Sequence, residues 1–369
     1  MNKVGFGFLR LPQKESDGKK VIDYEVLNPL VDRFLELGGK YFDTAYTYLD
    51  GDSEIALRES LVKRHPRDRF LIADKLPTWM IKSYDDCEKY FREQLERCGA
   101  ERFDYYLLHW LNDEIYEIAK KHNEFAFLQT VKERGLADYI GFSYHGSSAL
   151  LDRILTENPN VDYVQLQVNY LDWLSPTIES AECCKVCEKH GKRVIVMEPV
   201  KGGTLANLPE EAENLLKGIS PAASIPSWAI RFAQSVPVVD IVLSGMNAMD
   251  QIEDNMHDIA PLNEDEYAAL EKVSQIIESK TAIACTGCSY CTSGCPMNIA
   301  IPQYFKIYNE LYRYPDESWK MKSSYDVIAA KHGIPEDCIS CGSCESHCPQ
   351  KLPIIDTLKT VVEEFKKLS

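Results

Sequence analysis

Hydrophobic and polar residues follow two rhythms over most of this chain. Short β-rich runs lie at 4–8, 41–45, 70–76, 103–110, 137–144, 161–169, 193–199 and 239–245. Between them run helix-periodic stretches at 24–37, 53–63, 83–98, 126–134, 147–157, 177–190, 224–235 and 249–259. Strand–helix alternation predicts a parallel sheet with helices outside. Eight such units over about 250 residues predict closure into an α/β (β/α)8 barrel. A further helical run at 263–279 leads into a tail with helix-like stretches at 301–312 and 324–332. Apolar runs are short and broken by charges, so no segment reads as a membrane span. The first residues lack the apolar stretch of a secretion signal. A cytoplasmic location is the expectation.

Length agrees with this pattern: 369 residues hold a barrel at 1–279 and a small second domain at 280–369. The formal net charge of −16 is unevenly placed. Residues 280–369 carry 10 Lys/Arg and 10 Asp/Glu, so the first 279 residues carry the whole excess. An acidic chain of this kind excludes nucleic acid and anionic membranes as partners.

The tail changes the picture through its cysteines. Eight of 13 fall in two blocks, Cys285-x2-Cys288-x2-Cys291-x3-Cys295-Pro296 and Cys338-x2-Cys341-x2-Cys344-x3-Cys348-Pro349. This is metal spacing, not disulfide spacing. Zinc sites also use C-x2-C pairs. They do not need four cysteines per block, repeated, each block closed by proline. Both blocks are similar to the bacterial two-cluster ferredoxin run in every interval. In that run three cysteines hold one cluster and the fourth ligates the other. The resemblance therefore implies one [4Fe–4S] cluster on Cys285, Cys288, Cys291 and Cys348, and a second on Cys338, Cys341, Cys344 and Cys295. The 42 residues between the blocks, 296–337, resemble the helical two-cluster ferredoxin domains fused to oxidoreductases.

In a (β/α)8 barrel the chemistry sits at the C-terminal ends of the strands. There the chain places Asp43 and Tyr48 after the second run, Lys75 in the third and His109 in the fourth. Phe42-Asp43-Thr44-Ala45-x-x-Tyr48, Gly141-Phe142-Ser143 and Gln165-Leu166-Gln167-Val168-Asn169-Tyr170 then resemble the aldo/keto reductase family over nearly all of residues 1–279. With the cysteine tail, the chain resembles the ferredoxin-containing subgroup of that family. The resemblance implies an Asp–Tyr–Lys–His tetrad. Tyr48 would be the general acid/base, its pKa lowered by Lys75; Asp43 would hold Lys75 and His109 would orient the carbonyl. It also implies NAD(H) or NADP(H) across the barrel mouth, with Ser143 and Gln165 on the carboxamide, Met197 against the nicotinamide, and Asp254 and Asn255 at the adenine. The stretch 244–251 has no Lys or Arg, so the usual partners of a 2′-phosphate are missing there. Gly5-Phe6-Gly7 lacks the third glycine of a dinucleotide fingerprint and reads as part of the first strand.

The resulting expectation is an oxidoreductase acting on a small carbonyl or alcohol. Hydride transfer moves two electrons together and clusters pass one at a time. The clusters are then structural, regulatory, or feeders of a converting centre such as a flavin. Two other readings remain: an electron-transfer or redox-sensing protein, and a reductase coupled to a partner such as a ferredoxin, without nicotinamide. Trp79 and Trp110 either wall the substrate pocket or pack loops. Cys87, Cys98, Cys183, Cys184 and Cys187 read as core. Tyr304, Phe305, Tyr308, Tyr312 and Tyr314 read as packing around the clusters.

Overall fold

A computed structural model of the chain describes residues 3–16, 18–176, 178–257, 260–313 and 318–368. Tyr314 and the expected helix ends at Thr177 and Ile259 lie outside these residues. The chain divides into two compact units: Met1–Pro199 with Pro226–Leu262, and Val200–Ile225 with Asn263–Ser369.

Among its described residues the first unit contains ten strands: β1 (Val4–Gly7), β2 (Gln13–Ser16), β3 (Lys19–Ile22), β4 (Tyr41–Asp43), β5 (Leu71–Pro77), β6 (Phe103–Leu111), β7 (Ala137–Tyr144), β8 (Tyr163–Gln167), β9 (Arg193–Met197) and β10 (Val239–Ser244). Eight close a parallel barrel in the order β1-β10-β9-β8-β7-β6-β5-β4. β2 and β3 form a separate antiparallel hairpin that the pattern did not announce; Gln13–Ser16 is exposed throughout, so no buried face marks it. The sequence ranges overran several strand ends. Thr44 and Ala45, Val168 and Asn169, and Glu198 and Pro199 are mainly buried yet lie past the last ladder pairs. Apolar character continues into the loops at the mouth, so it marks burial there and not pairing.

Local signals explain the helices. Tyr84–Cys98 starts at a capping box, in which the Ser83 side chain meets the Asp86 backbone and the Asp86 side chain meets the Ser83 backbone. Its buried residues, Cys87, Phe91, Gln94 and Cys98, recur at helical spacing on one face. It ends where Gly99 adopts φ 62°. The run expected at 53–63 is a short helix, Asp52–Leu57, followed by a π-helical turn over Arg58–Val62. The run expected at 126–134 begins earlier, at Glu124, and is preceded by a separate helix, Asp113–Lys121, capped by Asn112.

Inside the barrel, Tyr41, Ala73, Leu107, Tyr163, Ile195 and Leu243 pack into one layer. Side chains alternate faces along a strand. Two residues toward the C-terminal ends, on the same inward face, stand Asp43, Lys75, His109, Gln165 and Met197. The candidate site is thus the next interior layer, set by strand periodicity.

The second unit is helical, with its own core of Tyr304, Phe305, Met321, Tyr325, Leu358, Val361 and Phe365 around the cysteines. Tyr312 is exposed, so only part of the expected aromatic cluster packs inward. The helix expected at 324–332 is Ser318–Ala329. Gly333 and Pro335 bar its continuation at the C-terminal end. The tail is also an internal repeat. One interval, 53 residues, takes Cys285 to Cys338, Gly287 to Ser340, Ser289 to Gly342 and Asn298 to Lys351, the last three pairs all at positive φ. The same interval takes the helix Ile301–Arg313 to Ile354–Lys366. Among the described residues no helix is long and apolar enough to cross a membrane.

Candidate active site and cluster sites

Lys75 is fully buried on β5, a position that needs partners for its charge. Its Nζ donates to Asp43 Oδ1 at 2.5 Å and to the Thr44 carbonyl at 2.6 Å. Gln165 Nε2 donates to the other Asp43 oxygen at 3.2 Å. Burial pushes the Asp43 carboxyl above its ordinary range, and Lys75 and Gln165 pull back against it. Tyr48 is half-buried, and its ring centre lies 4.7 Å from the Lys75 ammonium and 5.7 Å from the His109 ring. Burial, then the charges of Lys75 and His145, holds the His109 imidazole well below its ordinary pKa. His109 is therefore neutral near pH 7, with one ring N–H to donate. The Trp79 ring sits 5.2 Å from His109 and 6.3 Å from Trp110. Both tryptophans stand beside the tetrad.

The nucleotide candidates are more scattered. Ser143 and Gln165 pair in register across β7 and β8. The Ser143 hydroxyl is buried and has no hydrogen-bond partner among the described residues, which leaves it available to a bound group. Gln165 commits its amide N–H to Asp43 and keeps its carbonyl. Met197 is half-buried at the end of β9. Asn255 is buried and donates to Ser244 Oγ at 2.8 Å, while Asp254 is half-exposed. A buried, unpartnered hydroxyl beside an amide carbonyl suits a nicotinamide carboxamide. Sequence reading missed Arg10. It lies far from 244–251 in the chain, yet its side-chain stem runs along the Gly245 backbone, so close that a Cβ there would come within 3.3–3.5 Å. Only the barrel's closure, which pairs β1 with β10, brings them together.

The eight tail cysteines fall into two groups in space. Cys285, Cys288, Cys291 and Cys348 line one cavity, and Cys295, Cys338, Cys341 and Cys344 line another. Each block holds two left-handed residues between its cysteines: Gly287 and Ser289, and Ser340 and Gly342. Such backbone turns N–H groups toward one concavity, a nest for an anion. The Gly287 N–H meets Cys285 Sγ at 3.4 Å. Burial first, then Glu345 and Cys338, pushes the Cys344 thiol up to about 11. A thiol there ionises only with a cation present, as iron would supply. Four sulfurs per cavity, mainly apolar walls and inward N–H groups fit a cubane cluster. The remaining cysteines are all buried, and Cys98 donates to Asp74 Oδ2 at 3.5 Å.

Comparison with known proteins agrees with both halves. The aldo/keto reductase family profile matches residues 3–275, and a 4Fe-4S dicluster domain matches residues 284–352. An aldo-keto reductase of Mycolicibacterium vanbaalenii is 26% identical over 245 residues, covering 65% of this chain and 81% of that one. The holo form of an aldo-keto reductase from Bacillus halodurans superposes with a TM-score of 0.59 at 22% identity, over 73% of this chain and 91% of the other. A Klebsiella pneumoniae aldo-keto reductase in complex with NADPH gives 0.57 at 17% identity, over 74% and 90%. The chain belongs to the aldo/keto reductase family and is an oxidoreductase with a C-terminal 4Fe-4S ferredoxin-type domain.

Proposed function

We propose that the protein reduces a small carbonyl compound to an alcohol, or runs the reverse, with Tyr48 as general acid/base. The observation that carries this is the buried Lys75–Asp43 ion pair, with its ammonium 4.7 Å from the Tyr48 ring. When the carbonyl carbon becomes reduced, its oxygen becomes an alkoxide and needs a proton. Tyr48 supplies it, and the adjacent ammonium stabilises the phenolate left behind. Asp43 fixes Lys75, since a buried ammonium without a partner would not persist. Neutral His109 donates its N–H to the carbonyl oxygen and orients it. Trp79 and Trp110 shield this oxygen from water.

A nicotinamide cofactor, held at its carboxamide by Ser143 and Gln165 and against Met197, supplies the hydride when bound. Asp254 and Asn255 face the adenine. NADPH is bound by a structural neighbour, and the same cofactor class suits this site, NAD(H) or NADP(H). In the tail, Cys285, Cys288, Cys291 and Cys348 hold one [4Fe–4S] cluster, and Cys338, Cys341, Cys344 and Cys295 the other. These supply single electrons, for transfer or for regulation. Residues 1–279 would then carry the carbonyl chemistry and residues 280–369 the clusters. The second reading, a reductase fed by a redox partner such as a ferredoxin through a flavin, draws support from the one-electron clusters, which hydride transfer itself does not need.

The test is Tyr48→Phe in full-length protein purified without oxygen. The expected result is a loss of about 10²–10⁴-fold in carbonyl reduction with iron content unchanged. Unchanged turnover with NADH and NADPH would remove the tyrosine from the mechanism. Cluster bleaching by a reduced ferredoxin without any NAD(P)H oxidation would favour the second reading.

A further inference from the structure

The internal repeat makes the two cysteine cavities comparable wall by wall. Phe305 at one matches Leu358 at the other, and Leu352 matches Ile299. Ile301 lines both, so one side chain stands between them. The polar positions break the symmetry. Thr286 and Gln350 line the cavity of Cys285, Cys288, Cys291 and Cys348; the repeat places Ile339 and Met297 at the other.

Both polar residues meet one short segment of the same unit. Lys201 is 4% exposed and donates from Nζ to Gln350 Oε1 at 2.9 Å. Gly202, at φ 65°, lies so close to Thr286 that a Cβ would overlap the Thr286 carbonyl. Only glycine lets the segment seat there. The Thr286 hydroxyl is buried and has no hydrogen-bond partner among the described residues. At the other cavity Ile339 is 60% exposed and Cys341 reaches the surface.

A cluster held by four thiolates gains one negative charge on reduction. Hydrogen-bond donors and nearby positive charge favour that reduced form, and apolar walls oppose it. We infer that Thr286, Gln350 and Lys201 make the cluster on Cys285, Cys288, Cys291 and Cys348 the higher-potential member of the pair. An electron from a low-potential one-electron donor enters at the exposed Cys341 edge and passes inward. In that step the outer cluster is oxidised by one electron and the inner one reduced by one; no bond forms or breaks and no proton moves. This rests on the two-cluster reading above.

The experiment is a dithionite titration followed by electron paramagnetic resonance, on full-length anaerobic protein. Wild type should show two one-electron waves. Gln350→Met copies the outer wall into the inner one. It should lower only the upper wave, shifting the oxidised-to-reduced ratio about tenfold at fixed potential, which is ~59 mV for one electron. Lys201→Met should act in the same direction. Met297→Gln should raise the lower wave. Full iron and sulfide with both waves unmoved in Gln350→Met and Lys201→Met overturns the inference alone. If those variants lose their clusters, Met297→Gln decides: a raised lower wave supports it and an unmoved one overturns it. Wild type without iron–sulfur signal overturns the two-cluster reading and this inference with it.

Discussion

Single residues decide the chemistry because burial makes each charge costly. Lys75 is the strongest case. Lys75→Met leaves Asp43 buried with only the Gln165 amide, and removing one partner of a buried pair typically costs about 3–5 kcal/mol. The expected outcome is a large fall in unfolding free energy, read by urea titration, together with lost carbonyl reduction. Asp43→Asn with Lys75→Met, which removes both charges, should recover stability but not turnover. Glu124 offers a pH test. It is fully buried, and burial pushes its pKa to about 8 against a smaller downward pull from the Thr78 hydroxyl. The folded state thus keeps a proton that the unfolded state releases near pH 4.5. Stability therefore falls as pH rises between these values, by on the order of 1 kcal/mol per unit. Glu124→Gln should flatten that slope, raising Tm more at pH 8 than at pH 5. An equal gain at both pH values would mean that Glu124 is ionised in the fold. Nothing in the sequence marked Glu124, since an acid at a helix start is ordinary there.

At the scale of elements, the strands carry the site because their inward layer repeats every second residue. That period was legible: Asp43, Lys75 and His109 could be placed at strand ends from the pattern alone, and the structure gathers them around Tyr48. What was not legible depends on closure. Arg10 and Gly245 are neighbours only because β1 pairs with β10. Arg10 brings a basic side chain beside a stretch, 244–251, that has no Lys or Arg of its own. The expected consequence is that Arg10→Ala weakens NADPH several-fold in KM and leaves NADH nearly unchanged, since a guanidinium distinguishes the two through the 2′-phosphate. Equal effects on both would assign Arg10 to packing. The exposed hairpin β2–β3 was missed because no alternation betrays a strand without a buried face. In the tail, the cysteine spacing was plain, but the repeat extends to turns and helices whose residues differ. Gly287 answers to Ser340, and Gln350 to Met297. Identity at those positions hides what backbone conformation preserves.

At the scale of the molecule, the second unit has a core made partly of its own cysteines. Cys291 and Cys344 are buried members of that core, and Cys285, Cys295, Cys338 and Cys348 pack against it. The two cysteine cavities are lined mainly by apolar side chains of that same core, Ile301 among them in both. A metal centre bound only in the fold contributes its binding free energy to folding, so losing the iron–sulfur centres threatens a large share of the stability of so small a domain. The barrel unit has no such dependence, since its interior layer is filled by Tyr41, Leu107, Tyr163 and their neighbours. Removing iron with a chelator after oxygen exposure should therefore act regionally. Hydrogen exchange should speed up across the helices Ile301–Arg313 and Ile354–Lys366, while amides of β5 to β8 stay protected. Cys291→Ser should reproduce this pattern without oxygen, because one lost ligand empties one cavity. Uniform loss of protection in both units would mean that the clusters hold up the barrel too. Unchanged protection everywhere would mean that the tail folds on its apolar residues alone and that iron only occupies it.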